Sequence, residues 1–389
     1  MIPPFEFKTN PVLVFGVGKI SELPALVKRH GTRLLLVTGK SSLRVSGRYE
    51  AMEISLHREG ITVFHLECSG EPSPEMVDEG AARFCHDKIQ CVAAVGGGSV
   101  IDAGKAVSAM LVQEGSVQDY LEGVGMTPFD GRKVPFIAVP TTAGTGSEAA
   151  KNAVISRVGP RGFKRSLRHD NLMSDAALVD PELHASCPPD VTAACGLDAL
   201  TQLLESYVSL KATPMTDALA ESGLMAVGKS LLPARRDGHD MEARTGMAYA
   251  AYLSGVTLTN SGLGVVHGFA SSVGGAFAIP HGALCGTVLE PCTRRTIERL
   301  KEMGDVRALA KYARAGRHLT GRKGADIGGD LEALLSLLRD WARDLRMPRL
   351  GQFGIREADI SDLAAQTRCK DNPIALPPQD LEDVLRERL

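Results

Sequence analysis

Apolar and polar positions follow two different rhythms along this chain. In the first half, short apolar runs alternate with amphipathic stretches. RLLLVTG (33–39), ITVFHLE (61–67), CVAAVGGG (91–98) and KVPFIAVPTT (133–142) are β-favouring runs, and three of them lead into glycine or a hydroxyl-rich turn. Between them, SPEMVDEGAARFCHDK and SVIDAGKAVSAMLVQ carry apolar residues at helical spacing. Apolar strands alternating with helices predict a parallel sheet covered on both faces. Ligands of such sheets bind where strands end and loops begin.

From Val191 the rhythm is helical nearly to the end, through VTAACGLDALTQLLESYVS, PMTDALAESGLMAVGKSLLPARR, MEARTGMAYAAYLSG, DLEALLSLLRDWARDL, EADISDLAAQTRC and QDLEDVLRERL. ALVDPELHASCPPD (177–190) separates the two rhythms and holds Pro181, Pro188 and Pro189, as a hinge would. The expected architecture is an α/β, Rossmann-like dinucleotide-binding domain over 1–186 and an all-α domain over 187–389. GRKGADIGGD (321–330) reads as a loop.

Composition narrows the function classes. The chain has 389 residues, 44% hydrophobic and 23% charged, enough for a large core with no staple. A net charge of −2 argues against a nucleic-acid partner, which needs a clustered basic footprint. No stretch of about 18 apolar residues predicts a membrane span. The opening MIPPFEFKTNPVLVFG lacks a basic segment followed by an apolar one, so no secretory signal is expected. The eight cysteines are scattered without a C-x-x-C pair, which suits reduced thiols in a cytoplasm.

Two glycine-bearing turns carry candidate chemistry. AVGGGSVIDAGKAV (94–107) is a strand, a glycine turn and a helix start. Glycine lets a backbone approach a ligand closely, and N–H groups at a helix start attract phosphate. Gly97, Gly98 and Ser99 are therefore candidates for a pyrophosphate, although such a turn serves as often for structure alone. VPTTAGTGSE (139–148) follows the next strand, and Thr141, Thr142 and Thr145 offer hydroxyls to phosphate or ribose. Two such loops at successive strand ends can hold a dinucleotide. After the strand 33–39 the chain gives Gly39 and Lys40 where an acid often binds the adenosine ribose. Gly39 leaves room and Lys40 or Arg44 can face a 2′-phosphate, so NADP, or use of both NADP and NAD, is expected.

The helical half raises a metal question. Asp198 and Gln202 lie four apart on one face of a helix, among apolar neighbours. HGFASSVGGAFAIPH (267–281) places His267 and His281 fourteen residues apart, about 21 Å if the helix were straight. Gly274, Gly275 and Pro280 are expected to break that helix and let both imidazoles converge with Asp198. A carboxylate with two imidazoles is a ligand set for ferrous iron or zinc with open positions.

GGGSVIDAGK, PTTAGTGSE, DAALVDPEL, GLDALTQLLESY and GLGVVHGFASSVGGAFAIPHG together resemble the iron-containing (group III) alcohol dehydrogenases. The resemblance spans about residues 8 to 290. It implies a dehydroquinate synthase-like architecture with a divalent metal, Fe2+ before Zn2+, between the two domains. The family's four ligand positions fall on Asp198, Gln202, His267 and His281. It further implies Ser73, Asp102, Asn152, Lys164 and Leu183 at the cofactor, Lys164 near the nicotinamide ribose and Leu183 packed on it, although FKRSLR reads equally as a solvated basic strand. Two positions depart from the pattern: Gln202 replaces a histidine, and Ser271 stands where many members carry another, near the substrate. An amide oxygen is a neutral and weaker ligand, and a serine passes a proton only within a relay.

The implied reaction is reversible oxidation of a small alcohol to an aldehyde or ketone, with the metal as Lewis acid and NAD or NADP as hydride acceptor. The catalytic set is Asp198, His267, His281 and Ser271. Gln202 keeps a rival open, a metal-free reductase of the maleylacetate reductase type. Less supported are a dehydroquinate synthase-like lyase, for which GFASSVGGAF offers no basic residues, and a non-catalytic nucleotide-binding or assembly protein. Phe269 and Phe277 suggest a modest apolar pocket for short alcohols, or else ordinary core. The family implies a homodimer or larger homo-oligomer.

Overall fold

The computed structural model describes residues 2, 4–40, 42–45, 47–159, 162–324 and 326–389. The α/β half contains β1 (Val12–Phe15), α1 (Leu23–Lys28), β2 (Arg33–Gly39), α2 (Ser42–Val45), α3 (Arg48–Arg58), β3 (Thr62–Cys68), α4 (Pro74–Phe84), β4 (Cys91–Gly96) and α5 (Gly98–Met110). It continues through β5 (Phe136–Pro140), β6 (Asn152–Arg157), β7 (Phe163–Arg168) and β8 (Ala176–Val179). The helical half runs α6 (Pro189–Val208), α7 (Pro214–Arg236), α8 (Met241–Ser261), α9 (Val265–Ala276), α10 (His281–Met303), α11 (Val306–Thr320), α12 (Ile327–Asp344), α13 (Ile360–Gln366) and α14 (Pro378–Glu387).

Six strands form one parallel sheet in the order β3-β2-β4-β5-β8-β1. Alternate residues of its strands enter opposite cores. Leu35, Val37, Val92, Ala94, Phe136 and Ala138 meet α4 and α5, whereas Leu34, Leu36, Ala93, Val95, Ile137 and Val139 meet α1 and α3. Both faces are buried, which is why these strands read as continuous apolar runs. The chain passes from β2 outward to β3 and then back to β4 on the other side of β2. The crevice between the carboxyl ends of β2 and β4 is thus the switch point where such sheets bind ligands. Thr38 pairs with Val95 there, so Gly39 and Gly96 end side by side.

Five elements were not legible beforehand. β1 and β8 are short, four residues each, and β8 lies inside the stretch that reads as a hinge. β6 and β7 form an antiparallel hairpin off the main sheet, packed on α5 and α9, so FKRSLR is a strand with one covered face. α11 carries alternating charge and apolar residues that gave no separate signal. Two expectations need correction. Ile327–Asp330, expected in a loop, is the first turn of α12, where Asp326 caps Gly329 N at 3.0 Å and outweighs two glycines. Gly274 and Gly275 remain helical; the break comes at Phe277–Pro280, where the chain extends and returns to start α10 at His281. All eight cysteines are free. No helix among the described residues is long and apolar enough to cross a membrane.

Candidate active site

A cavity of about 670 Å³ lies between the two halves. Its α/β wall contains the first turn of α5 and the loop after β5. Gly97 is the cap of α5, and the cavity reaches Gly98, Ser99, Thr145 and Asn152. A Cβ on Gly98 would lie 2.5 Å from Thr145 Oγ1, so only glycine lets these two loops touch. The free N–H groups of the α5 first turn face this space, as an anion requires. Lys105, wholly buried in α5, donates to the carbonyls of Ser147, Ala150 and Asn152 and so fixes the second loop. Asn152 Nδ2 donates to Ser166 Oγ at 3.2 Å, while its Oδ1 is buried with no partner.

The helical wall brings the distant ligand candidates together. Asp198 sits mid-way along α6, 1% exposed. His267 lies in the first turn of α9 and His281 opens α10, with ring centroids 5.4 Å apart. Asp198 Oδ1 is 3.4 Å from His267 Nε2 and 3.5 Å from His281 Nε2, yet has no hydrogen-bond partner. A buried, unpartnered carboxylate oxygen between two imidazole nitrogens is costly by itself and fits a divalent cation. Cys285, one turn after His281 on α10, adds a fourth donor, and the four ligand atoms lie within 4.8 Å of one another. On the far side, His267 Nδ1 donates to buried Glu205 Oε2 at 2.7 Å, and Glu205 Oε1 accepts from Val266 N at 2.6 Å. That bond orients the ring, so that with a cation in place His267 Nε2 would present its lone pair to the cluster.

Charge in the cluster follows from burial and proximity. Burial opposes a charge on His267, but Cys285, Asp198 and Glu205 outweigh it and hold its pKa well above the usual value. Burial likewise opposes ionisation of Asp198; His281 and His267 overcome it and keep its pKa low. His281 is pushed down to about 4, chiefly by burial. Burial pushes the Cys285 thiol up to about 11. Without a cation the cluster therefore holds one proton on His267 against the Asp198 carboxylate, and a divalent ion would replace it.

Two family models match the chain: iron-containing alcohol dehydrogenase over residues 10–181, and the C-terminal part of the same family over 192–389. The long-chain-alcohol dehydrogenase 1 of Geobacillus thermodenitrificans is 33% identical over 95% of this chain and 92% of its own length. The NAD-dependent methanol dehydrogenase of Bacillus methanolicus is 30% identical over 99% of this chain and all of its own. The chain belongs to the iron-containing alcohol dehydrogenase family. Its fold matches that of an archaeal halo-thermophilic Red Sea brine pool alcohol dehydrogenase with a TM-score of 0.91, at 26% identity, over 100% and 99% of the two chains. It is an oxidoreductase of alcohols that uses a nicotinamide cofactor and a divalent metal, and these matches favour that reading over the reductase, lyase and assembly alternatives.

The dehydrogenase brings most, not all, of the expected residues to one place. Gly98, Ser99, Asp102, Thr145, Asn152, Lys164, Gln202, His267, Ser271 and His281 line the cavity. Asp102 has both oxygens occupied, accepting from Ser147 Oγ and from Val154 N at 3.1 Å, so it ties α5 to the second loop. Lys164 pairs with Glu71 at the cavity wall. Ser271 Oγ donates to His267 O at 3.0 Å, one turn back along α9. Outside the lining, Thr141 and Thr142 sit beside Gly96 and Gly97, and Gly39 ends β2 at the switch point. Ser73 caps α4, accepting from Met76 N at 3.3 Å. Leu183 is 4% exposed and belongs to the core on the α1/α3 side of the sheet. Phe269 is wholly buried in the helical core, two residues from His267 and so on the opposite face of α9, and Phe277 packs against that core. Neither phenylalanine lines the cavity.

Sequence reasoning missed Glu205, Lys105 and Cys285. Glu205 lies seven residues after Asp198, two helical turns on and on the same face, which was a readable signal. Cys285 follows His281 by four for the same reason.

Proposed function

We propose that the protein oxidises alcohols in a cleft whose cofactor side comes from residues 1–186 and whose metal side comes from 187–389. The observation that carries this is the convergence of Asp198, His267 and His281 on the same cavity as the first turn of α5. A divalent ion bound there supplies Lewis acidity, lowering the pKa of an alcohol, and the nicotinamide supplies the hydride acceptor. The protein's own part is positioning. The N–H groups of Gly98 and Ser99 and the hydroxyl of Thr145 hold phosphate; Thr141, Thr142 and Gly39 shape the same edge. Asn152 Oδ1, buried without a partner, is free to accept from a cofactor amide or hydroxyl. Glu205 holds the His267 ring, and Ser271 Oγ offers an acceptor toward the substrate space.

Lys40 and Arg44 after β2, with no acid at that strand end, support NADP as well as NAD. Lys370 lines the same cavity as His267 and makes no hydrogen bond or ion pair among the described residues. A free ammonium there supports alcohols whose far end is anionic. Free cysteines support a reducing, cytoplasmic compartment. The edge strand β1 with Leu13 exposed supports a homodimer or larger homo-oligomer.

The test is a panel of alkanols and ω-hydroxy acids of matched length, assayed with NAD and NADP, before and after chelation and with Fe2+ or Zn2+ restored. Turnover lost on chelation and regained on restoring metal is expected, with lower KM for the hydroxy acids. Full turnover in chelated, metal-free protein would refute the reading.

A further inference from the structure

We infer that Cys285 Sγ, and not the Gln202 amide, is the fourth protein ligand of the metal, giving an Asp198–His267–His281–Cys285 site. The inference rests on the metal-site reading above and goes beyond it in naming a donor that the resemblance does not supply.

Geometry is the first argument. Metal–nitrogen and metal–oxygen bonds of about 2.0–2.2 Å set tetrahedral edges of about 3.3–3.6 Å between ligand atoms. The two Asp198 Oδ1 to imidazole distances are 3.4 and 3.5 Å. A metal–sulfur bond of about 2.3 Å sets sulfur–nitrogen edges of about 3.6 Å. Cys285 Sγ lies 3.8 Å from His281 Nε2 and 4.0 Å from His267 Nε2, so a contraction of a few tenths of an ångström brings these two edges to tetrahedral length, with all four ligand atoms already within 4.8 Å of one another.

Gln202 supplies the second argument. Its Oε1 already accepts from Ser254 Oγ at 2.7 Å, inside the helical half. That bond engages one of the two lone pairs of the amide oxygen, and the other would make only a neutral, weak donor to a metal. Cys285 Sγ makes its polar side-chain contacts within the cluster, with the two imidazole nitrogens and the Asp198 carboxylate. Placement is the third argument. Cys285 is one helical turn from His281 on α10, so both side chains point to the same spot without strain. A thiolate in place of a neutral donor makes the site softer, which favours zinc or ferrous iron over magnesium or calcium.

The experiment uses full-length protein stripped of metal and titrated anaerobically with Co2+, whose thiolate complexes show a ligand-to-metal charge-transfer band in the near ultraviolet. Wild type is expected to bind one Co2+ per chain and to show that band. Cys285→Ser and Cys285→Ala are each expected to lose the band and to weaken Co2+ and Zn2+ binding at least tenfold, with circular dichroism unchanged. Gln202→Ala is expected to keep the band and to change affinity less than threefold. Co2+ bound without the band, or Cys285→Ser retaining wild-type affinity while Asp198→Ala abolishes binding, would leave the metal site standing and overturn the role of Cys285. No Co2+ binding by wild type would overturn both.

Discussion

At the scale of single residues, buried polar groups show what each position is for. His184 Nε2 donates to Pro140 O at 3.0 Å and so holds the end of β5, where the second loop starts. Its Nδ1 is buried with no donor to it, and burial pushes the ring's pKa down to about 4. The folded state therefore excludes the charged form, while the unfolded chain protonates near 6.5. Stability from this group is complete above pH 6.5 and is lost as pH falls toward 4, by about 3 kcal/mol in all. Urea midpoints at pH 7.5 and pH 4.5 check this. His184→Gln keeps a donor for Pro140 and is expected to show a smaller drop between the two pH values than wild type. An equal drop would count against it. This residue gave no signal beforehand, because nothing local distinguishes a buried histidine from an exposed one.

Among elements, the contact between the second loop and α8 decides where the cofactor wall stands. Gly146 has φ +60, and an added Cβ would lie 2.4 Å from Gly255 N; a Cβ on Gly255 would lie 2.1 Å from Gly146 O. The loop and the helix meet backbone to backbone, which only a pair of glycines permits. Gly255→Ala is expected to destabilise the protein by about 1–3 kcal/mol, as overpacking does. It should also raise the KM for NAD or NADP, since the displaced loop carries Thr145. Guanidinium melts and steady-state kinetics read the two effects, and an unchanged KM would mean that the loop absorbs the shift elsewhere. Long helices and apolar strands were legible because their periodicity extends over many residues: α7 falls on the predicted segment 214–236, and β2 on 33–39. β1, β8 and the β6–β7 hairpin were not, since four to six residues with mixed polarity carry little period and pair with distant or off-sheet partners.

Across the whole molecule, the two halves are joined by more than the hinge. Ala177 and Val179 of β8 enter the helical core, with Phe15 of β1 packed against it. The N-terminal segment ties both halves: Asn10 Nδ2 donates to Glu148 O and Ser174 O, Tyr252 OH donates to Asn10 Oδ1, and Lys8 N donates to Asn260 Oδ1. A shared core and cross-links of this kind predict one thermal transition rather than two, seen alike by circular dichroism and tryptophan fluorescence from Trp341. The proposed metal ligands all come from α6, α9 and α10, so a cation that binds only the native state should stabilise it by about 2.7 kcal/mol at one hundred times its Kd. Differential scanning fluorimetry of stripped protein with added Zn2+ is expected to show a higher midpoint in wild type and none of that rise in Asp198→Ala.

The sequence by itself determined the alternation of the long strands and helices in the first half, the helical second half, the two glycine turns and the choice of Asp198, His267 and His281, because periodicity, turn residues and donor chemistry are local properties. Tertiary structure alone decided that the chain reverses at Phe277–Pro280 to bring two imidazoles together, that Glu205 fixes one of them, that Ser254 occupies the Gln202 oxygen, and that Cys285 faces the same point. Each of those depends on which helix packs beside which: the spacing of Glu205 and Cys285 shows only the helix face they share, not what meets it.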